Sequence, residues 1–417
     1  MKPVEAGILP LRSTLHDAQR GLAAINELMQ AFNDSFPCRL LTDPADADHE
    51  LLVIPVMTGG TESSFIKIWP AIKKTGKALL LAATLSDNSL PAALEILSWL
   101  KANEPDADAA IVHGSNARLA GQIKERLDLE KITAGLRTRV AGIIGEPSEW
   151  LIASMPDPKF LEEKLGIRFV TLSMEAFSKH ADKAEAGSLS EFARIFYKTG
   201  ECRNTSELAR AARIYGGLIR VIKAHGLNAL TLRCFDILAS NQTTGCLALA
   251  KLNDDGIPAA CEGDVPAMVT MMVLQAATGK AGFMANPSRV DGNQVVFAHC
   301  TCPLTLLQSF TLPTHFESGI GLAVAGEFAP DTFTLCRLDF VGGRYALATG
   351  KSLPHAMATN LCRTQLKLDL PGASDYFFSR PLGNHHVLVP GDHTALLHRW
   401  CKSMCLKPAW QEPLTMG

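Results

Sequence analysis

The chain has 417 residues, of which 47% are hydrophobic, 20% charged and 6% aromatic, with a formal net charge of -2. That length exceeds one ordinary core, so two or three domains are expected. The near-neutral balance gives no electrostatic reason for a nucleic-acid partner, and scarce aromatics argue against base-stacking platforms.

Residues 1–20 lack the apolar core of a signal peptide, because Glu5 and Asp17 interrupt them. No window approaches the roughly 18 apolar residues of a spanning helix, so no membrane partner is expected. Cys234, Cys246, Cys261 and Cys336, among eleven cysteines, sit in apolar segments. They read as buried thiols of a reducing compartment, and the expected location is cytoplasmic.

The first third alternates helix and strand. Residues 16–32 place Leu22, Ile25, Leu28, Met29 and Phe32 at helical spacing. Residues 51–57 form a continuous apolar run, as in a buried parallel strand. It ends in Thr58-Gly59-Gly60-Thr61-Glu62, and a helix is expected over 63–74. Strands follow at Ala78–Ala83 and Ala109–His113, with a helix over 91–102 between them. This order predicts a doubly wound parallel sheet.

A second α/β unit reads strand 139–144, helix 160–165, strand Arg168–Leu172, helix 207–225, strand 230–235, helix 243–252, strand 258–261 and helix Val265–Thr278. From about residue 282 short β-type runs appear, at 295–298, 321–325, 332–338, 343–349 and His386–Pro390. These predict antiparallel strands of the kind that close into a small barrel. The fold class is therefore α/β: two Rossmann-like, doubly wound domains, 1–138 and 139–285, then a β-rich domain, 286–417.

Three strand-like runs end in polar clusters, at Cys261-Glu262-Gly263-Asp264, at Ala285-Asn286-Pro287 and at Ala298-His299-Cys300. In open α/β sheets ligands sit at the carboxyl ends of strands, so Glu262, Asp264, Asn286 and His299 are candidates for one pocket. Glu262 follows an apolar strand, where a buried carboxylate needs a metal, a cation or donors. It reads equally as a ligand and as a carboxylate near the start of the Val265 helix, with Asp264 as cap. His299 reads as a neutral imidazole ligand, as a substrate contact or as a turn histidine before Pro303. A zinc site from His299, Cys300, Cys302 and Cys261 ranks last, since Cys-x-Cys is a weak zinc signal. The 58–62 loop suits hydroxyl or phosphate contact through backbone donors. It lacks the lysine of a P-loop and the G-x-G-x-x-G spacing, so a nucleotide is not expected. His385 and His386 are neighbours on an extended chain and face opposite ways, so one of them reaches a given metal, and His386 is preferred. His393 reads as a surface residue.

The run Cys246 to Asp264, together with Ala298-His299-Cys300, His315-Phe316-Glu317-Ser318-Gly319-Ile320-Gly321 and Gly383-Asn384-His385-His386, resembles the L-fucose isomerase-like and L-arabinose isomerase superfamily. The resemblance is carried mainly by residues 230–392 and points to a compact branch. It implies aldose–ketose isomerisation of a small sugar, deoxy and modified sugars included. It also implies a homo-oligomer and a divalent metal, Mn²⁺ first and Mg²⁺ second. On that resemblance Glu262, His299 and His386 are metal ligands and Glu262 is also a base. The second carboxylate falls at or near Asn286, which can ligate but cannot act as a base. Glu317 is then the candidate for the missing acid/base. Gly59, Gly60, Thr61, Glu62, Asn286, Asn384 and His385 are candidate substrate contacts. The rival reading is a non-catalytic sugar-binding or regulatory protein on the same scaffold, and a third is a metal-assisted epimerase.

Overall fold

The computed structural model describes residues 4–14, 17–153, 156–184 and 205–410, with Phe192 and Phe196. His16, where the first helix was expected to begin, lies outside the described residues, as do residues 411–417 of the expected third domain. Two compact units divide the chain, Met1–Ala134 and Gly135–Gly417.

In the first unit, β1 (Ala6–Ile8), β2 (Cys38–Leu40), β3 (Leu51–Val56), β4 (Ala78–Ala83) and β5 (Ala109–His113) alternate with α1 (Ala18–Asn33), α2 (Glu62–Thr75), α3 (Ser89–Asn103) and α4 (Asn116–Arg137). The strands pair in parallel in the order β2-β1-β3-β4-β5. All residues of β3 and β4 are buried, which explains their unbroken apolar runs. Alternate residues of β3 feed opposite layers. Leu52, Ile54 and Val56 pack with Phe65 and Trp69 of α2, while Leu51 and Val53 pack with Phe32 of α1 and Leu119 of α4. The helix expected from residue 63 begins at Glu62, so this residue is helical and not part of the loop.

The second unit begins with a parallel sheet of order β7-β6-β8-β9. Its strands are β6 (Val140–Ile144), β7 (Arg168–Leu172), β8 (Ala229–Leu232) and β9 (Ala259–Cys261). Helices α5 (Pro158–Leu165), α6 (Met174–Ala181), α7 (Thr205–His225), α8 (Asp236–Asn241), α9 (Cys246–Asp254) and α10 (Val265–Thr278) accompany it. The strand expected over 230–235 stops at Leu232, because the chain turns at Cys234 into the short α8.

An antiparallel sheet follows. It contains β10 (Phe283–Asp291), β11 (Gln294–His299), β14 (Thr332–Asp339), β15 (Arg344–Leu353), β16 (Thr364–Asp369) and β17 (His386–Pro390), with β12 (Leu307–Thr311) and β13 (Ala325–Phe328) paired separately. The order β14-β17-β10-β11-β16-β15 returns to β14 through the β14–β15 ladder, so these strands close a barrel. The two-residue β18 (Lys407–Pro408) adds to β15 in parallel. Two further helices, α11 (Ala373–Ser379) and α12 (Thr394–Ser403), lie within this region. Of the run expected as a strand at 321–325, only Ala325 is in one; residues 312–324 are a loop. The barrel interior is apolar, with Phe283, Phe297, Phe333, Leu335, Leu366 and Leu388 in one cluster.

Helix α10 joins the two sheets. It is apolar all round and buried over most of its length, because it packs on β8 and β9 on one side and on β14 and β17 on the other. The turn before it therefore lies where the parallel sheet meets the barrel, and that turn carries Glu262 and Asp264.

Candidate functional site

The chain leaves β9 through a tight turn. Asp264 N–H donates to the Cys261 carbonyl at 3.1 Å, and both central residues have positive φ, Glu262 at 62° and Gly263 at 73°. At Gly263 the geometry admits no side chain: an added Cβ would lie 2.7 Å from Pro147 Cα. Glu262 holds a left-handed conformation that a non-glycine residue adopts at a cost, and such strain concentrates at functional sites. It is braced from the loop after β6. Ser148 N–H donates to the Glu262 carbonyl at 2.9 Å, and the Trp150 indole N–H donates to Glu262 Oε2 at 2.6 Å.

The other carboxylate oxygen faces two histidines. Glu262 Oε1 is 3.5 Å from His385 Nε2 and 4.0 Å from His299 Nε2. One ligand atom from each of Glu262, His299 and His385 lies within 4.8 Å of the others. The two imidazole rings are 5.5 Å apart. Each of the three side chains carries an atom of a type that can bind a divalent cation.

Behind it stands a fully buried ionic layer. His385 Nδ1–H donates to Asp264 Oδ2 at 3.0 Å. Both oxygens of Asp264 accept from Arg337 at 3.2 Å, and Oδ1 also accepts from Ala267 N–H at 2.7 Å, capping α10. Arg337 is 1% exposed and Asp264 is 0% exposed. Burial alone would raise the Asp264 pKa, but the Arg337 charge and His385 overcome it and hold it at about 2. Glu262 shows the same contest: burial opposes its charge, His385 and His299 favour it, and the outcome is about 2. Burial pushes His385 down, yet its bond to Asp264 and the Glu262 charge carry it up to about 9. His299 has no such support; burial and the charge of His385 lower it to about 4.

His385, expected as a substrate contact, is the histidine that meets Glu262. His386 faces the barrel interior. Its Nδ1–H donates to the Asn384 carbonyl at 3.1 Å, and its Nε2 accepts from the Tyr376 hydroxyl at 2.8 Å. Both its nitrogens are occupied, which leaves no lone pair for a metal. Asn286 is half-buried on β10, where alternation puts it on the face of Met284. Met284 Sδ accepts from Cys261 N–H at 3.4 Å, so that face looks toward β9. The ladder pairs Ala285 with His386, and one step further Asn286 comes level with His385. Asn384 is exposed. Glu317 is exposed on the 312–324 loop, where its charge acts on Cys362. His315 of the same loop is buried, 5.7 Å from the Phe235 ring, and Phe235 lies 5.0 Å from Trp150. His393 is half-buried and bonded to the Pro390 carbonyl at 3.0 Å.

In the first unit, Thr61 is buried and its hydroxyl donates to the Thr58 carbonyl at 3.1 Å. Gly59 N–H donates to the Asp87 carbonyl at 2.8 Å. Gly60 is exposed and Glu62 half-buried. Thr58 lines a cavity of about 210 Å³ with Arg12, Asp17, Arg20, Thr84 and Asp87, at the carboxyl ends of the strands.

Sequence reasoning missed Trp150 and Arg337. Arg337 left a signal: an arginine between Leu335-Cys336 and Leu338 in a strand requires an anion if that strand is buried. Trp150 left none, since an aromatic after a turn is common.

No family model matches the chain. It is similar to the sulfoquinovose isomerase of Clostridium sp. (strain MSTE9), 35% identical over 91 residues, which are 21% of this chain and 20% of that protein. It is also similar to the sulfoquinovose isomerase of Alkalicoccus urumqiensis, 26% identical over 165 residues, 38% of this chain and 37% of that protein. The chain thus spans between a fifth and two-fifths of the length of the curated relatives it matches. Among the described residues, no helix is long and apolar enough to cross a membrane.

Proposed function

We propose that this chain is a metal-assisted aldose–ketose isomerase acting on a small modified sugar, an anionic sulfonated one included, and related to the L-fucose isomerase-like superfamily. The sulfonated substrate comes from the named relatives. The observation that carries the metal is the state of His385: its Nε2 is buried, has no hydrogen-bond partner and lies beside the Glu262 carboxylate. In the metal-free protein that nitrogen carries a proton, as the raised pKa of His385 requires; a cation that displaced this proton would find the opposite N–H already fixed on a carboxylate, the arrangement of a metal-bound imidazole. Glu262 and His385 would hold the cation. Oxygen and imidazole donors suit Mn²⁺ or Mg²⁺ better than a soft metal.

When bound, such a cation supplies Lewis-acid polarisation of the sugar's O1 and O2. Glu262 would take the proton from the carbon beside the carbonyl and return it to the former carbonyl carbon, while a proton moves between the two sugar oxygens, so that no proton is lost overall. Trp150 holds Oε2 of that carboxylate, which leaves Oε1 turned toward the histidines. Arg337 and Asp264 keep His385 in one tautomer and one orientation. On the resemblance, the superfamily's second carboxylate falls at or near Asn286, whose amide is proposed as a contact to a sugar hydroxyl. Glu317 and Asn384 are proposed hydroxyl contacts, and so, within the first unit, are the Gly59-Gly60-Thr61 loop and Glu62 at the start of α2.

The test is deuterium incorporation at C1 or C2 of a panel of aldoses and ketoses in D₂O with Mn²⁺, sulfonated sugars included. Glu262→Gln should lower exchange by about 10²–10⁴-fold, the usual contribution of a general base. An asparagine at position 286, if it is the equivalent of the superfamily's second carboxylate, favours one rival, a sugar-binding protein without turnover. Sugar binding by wild type with no exchange under any metal would decide for that rival.

A further inference from the structure

We infer that His299 donates a hydrogen bond from Nε2 to a sugar oxygen held against Glu262, and that it is not a ligand of the cation. This rests on the metal-assisted reading above. A neutral imidazole has one N–H and one lone pair. In His299 the lone pair is engaged at Nδ1, which accepts the Thr301 backbone N–H at 3.1 Å. The proton is therefore on Nε2, the atom that faces Glu262.

A cation at Nε2 would require the other tautomer. That would set an Nδ1–H against the Thr301 N–H, in a side chain only 4% exposed, where water cannot take over either donor. The neighbouring His385 has the opposite arrangement. Its Nδ1–H is fixed on Asp264, and its Nε2 has no hydrogen-bond partner, so a cation can take the place of the proton there. The two histidines present the same atom to the same carboxylate, but only in His385 can a cation replace the proton on it without disturbing the bond made by the other nitrogen.

The 4.0 Å between His299 Nε2 and Glu262 Oε1 is too long for a direct hydrogen bond. A single oxygen bonded to both spans it. A donor placed there stabilises negative charge as it develops on the sugar oxygen. That service matters in a site with asparagine at position 286.

The experiment uses the full chain. Mn²⁺ affinity is measured by titration calorimetry for wild type, His299→Gln, His299→Asn and His385→Gln. The His299 variants should bind Mn²⁺ within about threefold of wild type, whereas losing the true ligand costs at least about tenfold, and even outer partners of a metal ligand cost 10–100-fold. In ¹⁵N-histidine spectra of the metal-free protein, the signal absent from both His299 variants should show the Nε2–H tautomer. Hydrogen exchange of the sugar in D₂O should fall by about 10²-fold or more in the His299 variants, as when one oxyanion donor is removed. A tenfold or greater loss of Mn²⁺ affinity in the folded His299 variants, or an Nδ1–H signal, overturns the inference and leaves the isomerase reading standing. Absence of Mn²⁺ binding to wild type removes the metal-assisted reading and this inference with it.

Discussion

His385 and Asp264 form a buried pair in which one nitrogen donates to a carboxylate at 3.0 Å and the other, unbonded, faces Glu262. The pair links residues 121 apart in sequence and binds the barrel to the turn after β9. Asp264 does three things at once: it caps α10, it neutralises Arg337 and it sets the His385 tautomer.

Cation binding should therefore raise thermal stability. At a Mn²⁺ concentration 100 times Kd, mass action adds about 2.7 kcal/mol. The melting temperature should rise in wild type and stay nearly flat in Glu262→Gln. Scanning calorimetry with EDTA and with graded Mn²⁺ measures this, and equal rises in both proteins would remove Glu262 from the ligand set.

Arg337→Met should destabilise severely, by roughly 3–5 kcal/mol, because it breaks a buried ion pair and leaves Asp264 with only His385 and the Ala267 N–H to offset its charge. Arg337→Met combined with Asp264→Asn should recover part of that loss. Urea denaturation of the two single variants and the double variant completes the cycle. Additive losses would show that the two groups do not act as a pair.

Gly263→Ala should cost on the order of 1–3 kcal/mol, since it combines a positive φ with a backbone clash. Mn²⁺ binding should weaken with it, as the turn that aims Glu262 must shift. A variant as stable as wild type would show that the 145–150 loop yields easily.

The pH dependence of the metal-free protein has a worked sign. His386 sits folded at about 3 and His299 at about 4, both below the unfolded value of 6.5. Burial is the first cause in each, followed by a neighbouring positive charge, Arg337 for His386 and His385 for His299. The unfolded chain takes up these protons first, so stability falls as pH drops below 6.5, by up to about 1.4 kcal/mol per pH unit for each histidine. His385 has the opposite sign. Its folded value near 9 adds stability that is complete below 6.5 and is lost as pH rises through 9. Glu262 and Asp264 lose their contributions only as pH falls from about 4 toward 2. Denaturation midpoints in EDTA should peak near pH 6.5, and His386→Gln should flatten the decline between pH 6.5 and 5. An unchanged slope in that variant would mean that His386 is already protonated in the fold.

Glu317→Gln should leave Mn²⁺ affinity and melting temperature nearly unchanged, because the residue is exposed and outside the Glu262 cluster. It should weaken substrate through KM more than kcat. A fall in kcat of about 10²-fold or more would restore Glu317 as the acid/base partner.

The sequence by itself determined the succession of layers. The unbroken apolar runs at 51–57 and Ala78–Ala83 read as strands covered on both sides, and the short β-type runs after residue 282 as antiparallel ones, a reading that fails at 321–324, which is loop. It also determined that Glu262 and Asp264 needed partners, because carboxylates beside an apolar strand must be paired or ligated. Tertiary structure decided which partners they have. Between His385 and His386 the choice depends on which face of β17 looks into the barrel and which toward α10, and the sequence of β17 carries no mark of that. The barrel places Tyr376 beside His386 and Arg337 beside Asp264. Burial of each of these groups demands a partner across more than 70 residues of chain from Asp264, or an aromatic hydroxyl ten residues before His386. The tautomers of His299 and His385 were decided last and most locally, by a Thr301 N–H on one ring and an Asp264 oxygen on the other. Side-chain identity fixes what an imidazole is able to do, but only its neighbours in space determine which nitrogen keeps the proton.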